Sequence, residues 1–243
     1  MKVVSAYRPF EPESASHKKL GPFPWTSALA MLRQSVKASC RCETYALTDL
    51  SSDVGTVPAV RLPTTETRLM LWLLEAWSLY IESDAFDDDT AMVSPDALVF
   101  SDLRPWFSGD LGVVVRGGKF EDKRPLLNGV QLWAVRAKPR LAAFYREVRR
   151  LAARLPEGSI RWGGDTEPIL ELLEPLGQGH QSRQGLDVVG IPFQNFFRCP
   201  SGTDARRIEA GKRPDPTPIV DFKYMKKRMM ADYYAAAIGR RTA

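Results

Sequence analysis

The chain has 243 residues, 44% hydrophobic and 26% charged, enough to bury one sizeable core and ordinary for a soluble globular protein. Its net charge of +5 suits an anionic ligand but is too small to single out nucleic acid. Three cysteines, Cys40, Cys42 and Cys199, make no disulfide framework and predict a reducing compartment. With only His17 and His180 beside them, Cys40 and Cys42 read as buried thiols ahead of half a metal site.

Lys2 to Tyr7 predicts a first strand ending in a Pro-rich loop, after which Ser27 is placed to cap a helix with Leu29, Leu32 and Val36 on one face. Thr44 to Asp49 predicts a second strand. Thr67 to Ser83 is the most apolar helix and is expected at the centre of the fold. Its run from Leu69 to Ile81 falls short of the ~20 residues a membrane span needs, and Glu75 interrupts it. No signal-peptide pattern opens the sequence, so a cytoplasmic protein without membrane attachment is expected, inside the host if phage-encoded.

Ala91 to Ser94 and Ala97 to Phe100 read as short buried strands, and Leu111 to Arg116 and Leu127 to Val135 as further strands. Pro139 marks the start of a helix with Leu141, Phe144, Val148, Leu151 and Leu155 on one side. Arg146, Arg149, Arg150 and Arg154 line its other side. A helix from Thr166 to Leu173 and a strand from Leu186 to Ile191 follow. Cys199 to Pro218 reads as a long basic loop, of the kind that forms lids or binding loops. The last helix is expected to carry Phe222, Met225, Met229 and Tyr233 on one face. Alternating strands and helices predict a single α/β domain around a largely parallel sheet.

Several chemistries are excluded by what the sequence lacks. No GxxxxGK[ST] or GxGxxG is present, and no GxSxG elbow with the histidines a hydrolase triad needs. Gly117 and Gly118 read as a turn before a phosphate cradle. What remains is carboxylates at the carboxyl ends of strands, where open α/β sheets bind ligands: Asp49 after the second strand and Asp96 between two apolar runs. A carboxylate beside a hydroxyl suits Mg2+ or Mn2+, which would bridge a diphosphate and stabilise it as a leaving group.

Four segments in order then resemble the GT-A-fold glycosyltransferases, which use nucleotide sugars and include small stand-alone bacterial and phage enzymes. TAMVSPDALVFSDL (Thr90 to Leu103) is similar to the family's DxD region, and LLNGVQLWAVR (Leu126 to Arg136) to its acceptor-side strand. WGGDTEPILELL (Trp162 to Leu173) looks like the segment with an acidic residue beside the reacting sugar, and VDFKYMKKRM (Val220 to Met229) like the C-terminal HFxGxxK motif. The resemblance spans roughly Lys2 to Arg228 and implies a GT-A fold, with residues 1–103 as the nucleotide-sugar half and 104–243 as the acceptor half.

Residue by residue, the resemblance implies a donor site, expected to take a UDP-sugar, at Tyr7, Arg8, Asp49, Asp96, Asn128, Gly129, Lys223 and Lys227. Mn2+ or Mg2+ would lie at Asp96 and Asp221, and the catalytic carboxylate would be Asp165 ahead of Glu167. Asp165 would act as general base in an inverting enzyme or orient the donor in a retaining one; it also reads as a helix N-cap. Two departures stand out: the first acid of DxD is Ser94, and the motif's His is Asp221 and its Gly Tyr224. A weaker or absent metal, with Lys223, Lys226 and Lys227 meeting the diphosphate, is the competing reading. Asp87, Asp88 and Asp89 read as a solvated loop.

The basic excess, the arginine side of the Pro139 helix and the loop with Arg206 and Arg207 fit a polyanionic acceptor. Trp162 and the aromatics Phe193, Phe196 and Phe197 could stack on a sugar or an extruded base, or pack in the core. These features favour hydroxymethylated pyrimidine in double- or single-stranded phage DNA as acceptor. A surface polysaccharide or a protein is the alternative, and a degenerate, non-catalytic GT-A domain that binds nucleic acid is the other class of function.

Overall fold

The structure, a computed structural model, describes residues 1–9, 23–116, 125–156, 165–212 and 217–237, and of Tyr224 and Met225 only the backbone. In chain order the elements are β1 (Lys2–Ala6), α1 (Trp25–Cys40), β2 (Thr44–Thr48), β3 (Ala59–Arg61), α2 (Leu69–Glu82), β4 (Thr90–Val93) and β5 (Ala97–Val99). There follow β6 (Leu111–Val115), β7 (Leu126–Trp133), α3 (Lys138–Ala152), α4 (Thr166–Leu173), β8 (Gly179–Arg183) and β9 (Leu186–Pro192). The chain continues through α5 (Phe193–Phe196), β10 (Phe197–Arg198), α6 (Gly202–Glu209), β11 (Ile219–Asp221), a 3-10 turn over Tyr224–Met229, and α7 (Met230–Ala237).

Eight strands form one sheet in the order β3-β2-β1-β4-β7-β6-β9-β8, in which β7 and β8 run against the other six. Five strand residues of β6 and all four of β4 are buried, as continuous apolar strands covered on both faces must be. On one face the apolar α2 packs on α3, burying Trp72, Trp77, Tyr80, Trp133 and Tyr145 in one aromatic cluster. Trp77, Trp133 and Tyr145 meet edge to face with centroids 5.7–6.4 Å apart. On the other face α1 covers β5, and a second, three-stranded sheet, β10-β11-β5, packs Phe196, Phe197 and Ile219 beneath it.

The α/β class, the mostly parallel sheet and the central position of α2 agree with the sequence reading. Several local expectations do not. Ser27 lies exposed inside the first turn of α1; Pro24 holds the N-cap position, with no side-chain cap. β3 and the edge strand β8 were not anticipated, because AVR is short and GHQSR is polar, paired at the sheet's rim where burial leaves no pattern. The Cys199 to Pro218 stretch is not all loop. Ser201 and Asp204 form a capping box that starts α6, and Arg198 ion-pairs with Asp204. The expected last helix is divided, since Phe222 follows β11 and the α-helix begins only at Met230. All three cysteines are free thiols, Cys40 fully buried. Among the described residues no helix is long and apolar enough to cross a membrane.

The β8–β9 hairpin depends on one glycine. Gly190 pairs with Gly179, and a Cβ on Gly190 would collide with the Gly177 carbonyl oxygen. Gly190→Ala should cost about 1–3 kcal/mol in urea unfolding. Gly202→Ala, which opens into free space at the start of α6, should be neutral or stabilising.

Candidate active site

The site forms where strand ends converge. Tyr7 and Arg8 leave the carboxyl end of β1, Ser94 to Asp96 leave that of the neighbouring β4, and Asn128 and Gly129 sit in β7 beside it. The β6–β7 register explains how β7 contributes: Val113 pairs with Gln131, yet Val114 pairs with Leu127. The residues between form a bulge that breaks strand alternation and turns Asn128 toward the same side as Gln131. On the β4 side the ladder continues, with the Ser94 amide donating to the Gly129 carbonyl at 2.8 Å.

Two adjoining cavities open there. One, of about 110 Å³, is bordered by Tyr7, Arg8, Trp25, Trp72, Asp96, Lys223 and Lys227. The other, of about 420 Å³, is bordered by Trp77, Arg116, Asn128, Gly129, Asp165 and Lys223. Ser94, Pro95, Met70 and Lys223 border both. In the first, Arg8 is held by the Glu66 and Thr67 carbonyls with its guanidinium 5.2 Å from the Trp72 ring centroid.

Between the cavities lies a cluster of charges that the second sheet assembles. β11 pairs antiparallel with β5, Asp221 opposite Ala97, and the Phe222 amide donates to the Asp96 carbonyl at 2.8 Å. That brings Asp96 and Asp221 together from positions far apart in sequence. The Ser94 hydroxyl donates to Asp96 Oδ1, and Lys227 Nζ lies 2.6 Å from Oδ2. Lys223 Nζ lies 3.2 Å from Asp221 Oδ2. The buried Lys227 ammonium also sits 4.0 Å from the Trp25 ring centroid.

Burial disfavours charge on Asp96, but the Lys227 ammonium and the Ser94 hydroxyl outweigh it and hold the carboxyl below its ordinary range. Burial pushes Asp221 up, and the Asp96 charge adds to that against the pull of Lys223. Burial works against the Lys223 charge too, yet Asp221 and Asp96 win and raise it.

These residues do not fit the Mg2+ or Mn2+ expected at Asp96 and Asp221. Both oxygens of Asp96 are engaged by protein donors, and Asp221 is 0% exposed, with Lys223 as its counter-charge. Neither Asp221 oxygen has an aligned hydrogen-bond donor, so that charge is what offsets its burial. Among the described residues no three His, Cys, Asp or Glu side chains gather, so a cation here would rest on Asp96 and Asp221 alone, and both already face lysines.

In the larger cavity, Asp165 occupies the N-cap position of α4 but its side chain caps nothing. Instead Asn128 Nδ2 donates to Asp165 Oδ2 at 2.7 Å. Gln131 Nε2 donates to Asn128 Oδ1, and Gln131 Oε1 accepts from Trp133 Nε1 at 3.0 Å and from the Tyr145 hydroxyl. A line of hydrogen bonds thus runs from the aromatic core to the carboxylate and fixes its direction. Sequence reading missed Gln131, Trp133 and Tyr145; the available signal was a glutamine inside an otherwise apolar strand.

The other expected residues lie elsewhere. Asp49 borders neither cavity and accepts from the Ser51 and Ser52 amides, closing its own loop. Glu167 is half-buried on α4 and borders neither. Trp162, with Gly117 and Gly118, falls outside the described residues. Phe196 is not available for stacking: it is 0% exposed, edge-on to Trp106 at 4.7 Å. Arg206 is exposed and Arg207 half-buried on α6, apart from both cavities. The arginine side of α3 is largely neutralised, Arg146 by Glu82, Arg149 by Glu75 and Arg150 by Glu147. Asp87 and Asp88 pair with Lys2 and the N-terminal ammonium, and Asp89 accepts from the Val135 amide, so these acids tie β1 and β7 down.

No protein-family model and no curated relative matches the sequence. Solved structures do match the fold. Galactosyltransferase LgtC, solved with donor and acceptor sugar analogs, is 13% identical over 98% of this chain and 96% of its own, with a TM-score of 0.54. A glycosyltransferase involved in the glycosylation of the major capsid of PBCV-1 is 10% identical over 95% of this chain and 98% of its own, with a TM-score of 0.57. The apo form of glycosyltransferase GlyE of Streptococcus pneumoniae TIGR4 is 12% identical over 98% of this chain, which spans 60% of that one, with a TM-score of 0.58. The chain therefore has the GT-A fold.

Phe196→Ala should cost about 3–5 kcal/mol in urea unfolding, as removal of a core ring does. A ring exposed for stacking would cost within about 0.5 kcal/mol.

Proposed function

We propose that the protein is a glycosyltransferase that moves a sugar from a nucleotide sugar to a hydroxyl acceptor. The observation that carries this is the convergence of Tyr7, Arg8, Asp96, Asn128, Gly129, Asp165, Lys223 and Lys227 on two adjoining cavities, in a fold shared with glycosyltransferases. In this reading the nucleotide and its diphosphate occupy the smaller, aromatic and basic cavity. The sugar lies in the larger one against Asn128 and Gly129. A Cβ on Gly129 would make ordinary contacts with Asp221 and Phe197, 3.4–3.8 Å away, so position 129 meets the sugar through its backbone.

The acceptor oxygen attacks the anomeric carbon, and the bond from that carbon to the phosphate oxygen breaks with its electron pair leaving on the diphosphate. The acceptor's proton passes to the Asp165 carboxylate in an inverting transfer, or to the departing diphosphate in a retaining one with Asp165 orienting the donor. Asn128 holds Asp165 by its Oδ2, and Gln131 holds Asn128, so the carboxylate is positioned before substrate arrives.

For the acceptor, hydroxymethylated pyrimidine in DNA is carried over from the sequence reading; the net charge of +5 is compatible with it, while Arg206 and Arg207 stand apart from both cavities. The likeness to sugar- and capsid-modifying enzymes supports a saccharide or protein hydroxyl. UDP as the donor nucleotide is carried over from the sequence resemblance.

The test is incubation of purified protein with a panel of nucleotide sugars, following nucleoside diphosphate release and the mass of hydroxymethylpyrimidine DNA, oligosaccharide and protein acceptors. Wild type should release diphosphate with one donor and add a hexose or pentose to one acceptor. Asp165→Asn should lower turnover about 10²–10⁴-fold while donor affinity stays within about threefold. Donor or nucleic-acid binding without any release would establish the non-catalytic alternative.

A further inference from the structure

We propose that the ammonium groups of Lys223 and Lys227 stand in for a divalent cation at the donor diphosphate, so that the nucleotide sugar binds and is cleaved without metal. The inference rests on the transferase reading above and concerns how its donor site manages charge. Three observations carry it.

The first is the state of the carboxylates. At position 94 the chain has a hydroxyl, which donates to Asp96 Oδ1, and the other oxygen of Asp96 faces Lys227 at 2.6 Å. Asp221 is fully buried and its counter-charge is Lys223 at 3.2 Å. Each acid that could have drawn a metal into the site holds a lysine instead.

The second is position. Lys223 is the only basic residue, among those described, that borders both cavities; Arg8 and Lys227 border the smaller and Arg116 the larger. The scissile bond between diphosphate and sugar must lie at the seam of the two cavities, which is where Lys223 stands. Lys227 is fixed from behind by Asp96 and the Trp25 ring, 4.0 Å away. Lys227 Nζ is buried and ion-paired but has no aligned hydrogen-bond acceptor in the protein, so its N–H donors are left for phosphate oxygens.

The third is charge. Around the smaller cavity stand three cations, Arg8, Lys223 and Lys227, against one carboxylate, Asp96, an excess of two positive charges. Counting Asp221 behind Lys223 still leaves the cluster positive. The diphosphate of a nucleotide sugar carries about two negative charges, so these side chains offset one to two of them without a metal. As the bond to the sugar breaks, the charge that grows on the leaving diphosphate falls on oxygens next to fixed ammonium groups, the electrostatic service a cation would supply.

The experiment is calorimetric titration of the full chain with UDP, ADP, GDP, CDP and dTDP, in excess EDTA and in Mn2+. The tightest diphosphate should bind in EDTA with a Kd within about threefold of that in Mn2+. Lys223→Ala should weaken diphosphate binding by about 10–100-fold in EDTA while leaving the corresponding nucleoside unaffected. Lys223→Gln, one bond shorter but polar and uncharged, should behave alike, and circular dichroism would establish that both variants fold. Binding that vanishes in EDTA and returns with Mn2+ overturns the proposal and leaves the transferase reading standing. Absence of binding by every diphosphate under both conditions overturns both.

Discussion

The contact between Asp96 and Lys227 ties together the two sheets of this molecule. Asp96 follows β4 in the first sheet, and Lys227 follows β11 in the second. An ion pair buried this deeply gains little net stability, because desolvating both charges offsets most of their attraction; removing either partner, however, leaves a bare charge in the interior. Its value is therefore in specification. It demands that β11 lie on β5 in one register, and the Phe222 amide on the Asp96 carbonyl fixes the same register from the backbone. Once those are set, Asp221, Lys223 and the wall of the smaller cavity have no freedom left.

The larger cavity is organised on an opposite plan. There the carboxylate is aimed by neutral groups, Tyr145 and Trp133 through Gln131 to Asn128, whose far end is embedded among the aromatic rings of α2 and α3. Packing holds the donors still, and the bulge in β7 converts that stillness into direction by turning Asn128 out of strand alternation. Charge organises one cavity and shape the other, with Lys223 common to both.

Much of this was legible before any coordinates. The apolar strands and α2 declare themselves because burial on both faces leaves no polar interruption, and the segments around Asp96, Asn128, Asp165 and Lys227 stand in an order that resembles GT-A enzymes. What stayed hidden depends on distance in sequence. Nothing near Asp221 says that it will lie beside Asp96, and nothing near Gln131 says that its amide will serve Asn128. The roles assigned by composition fared worst. The arginines of α3 looked like a basic face, but their partners Glu75 and Glu82 come from α2, which periodicity within α3 does not reveal. Phe196 shows the same limit: an aromatic next to a charged stretch reads alike whether it points outward or into the core.

The position of β11 late in the chain has a consequence for biosynthesis. A nascent chain that has reached Pro218 already contains β4, β5 and Asp96, but neither of the strands' later partner Asp221 nor the lysines beyond it. Until those residues leave the ribosome, Asp96 has no ammonium to accompany it inward and stays in water. The smaller cavity thus closes only after residue 227 has been added, and a chain arrested shortly before that point holds the strands of the large sheet without the two lysines that wall the cavity.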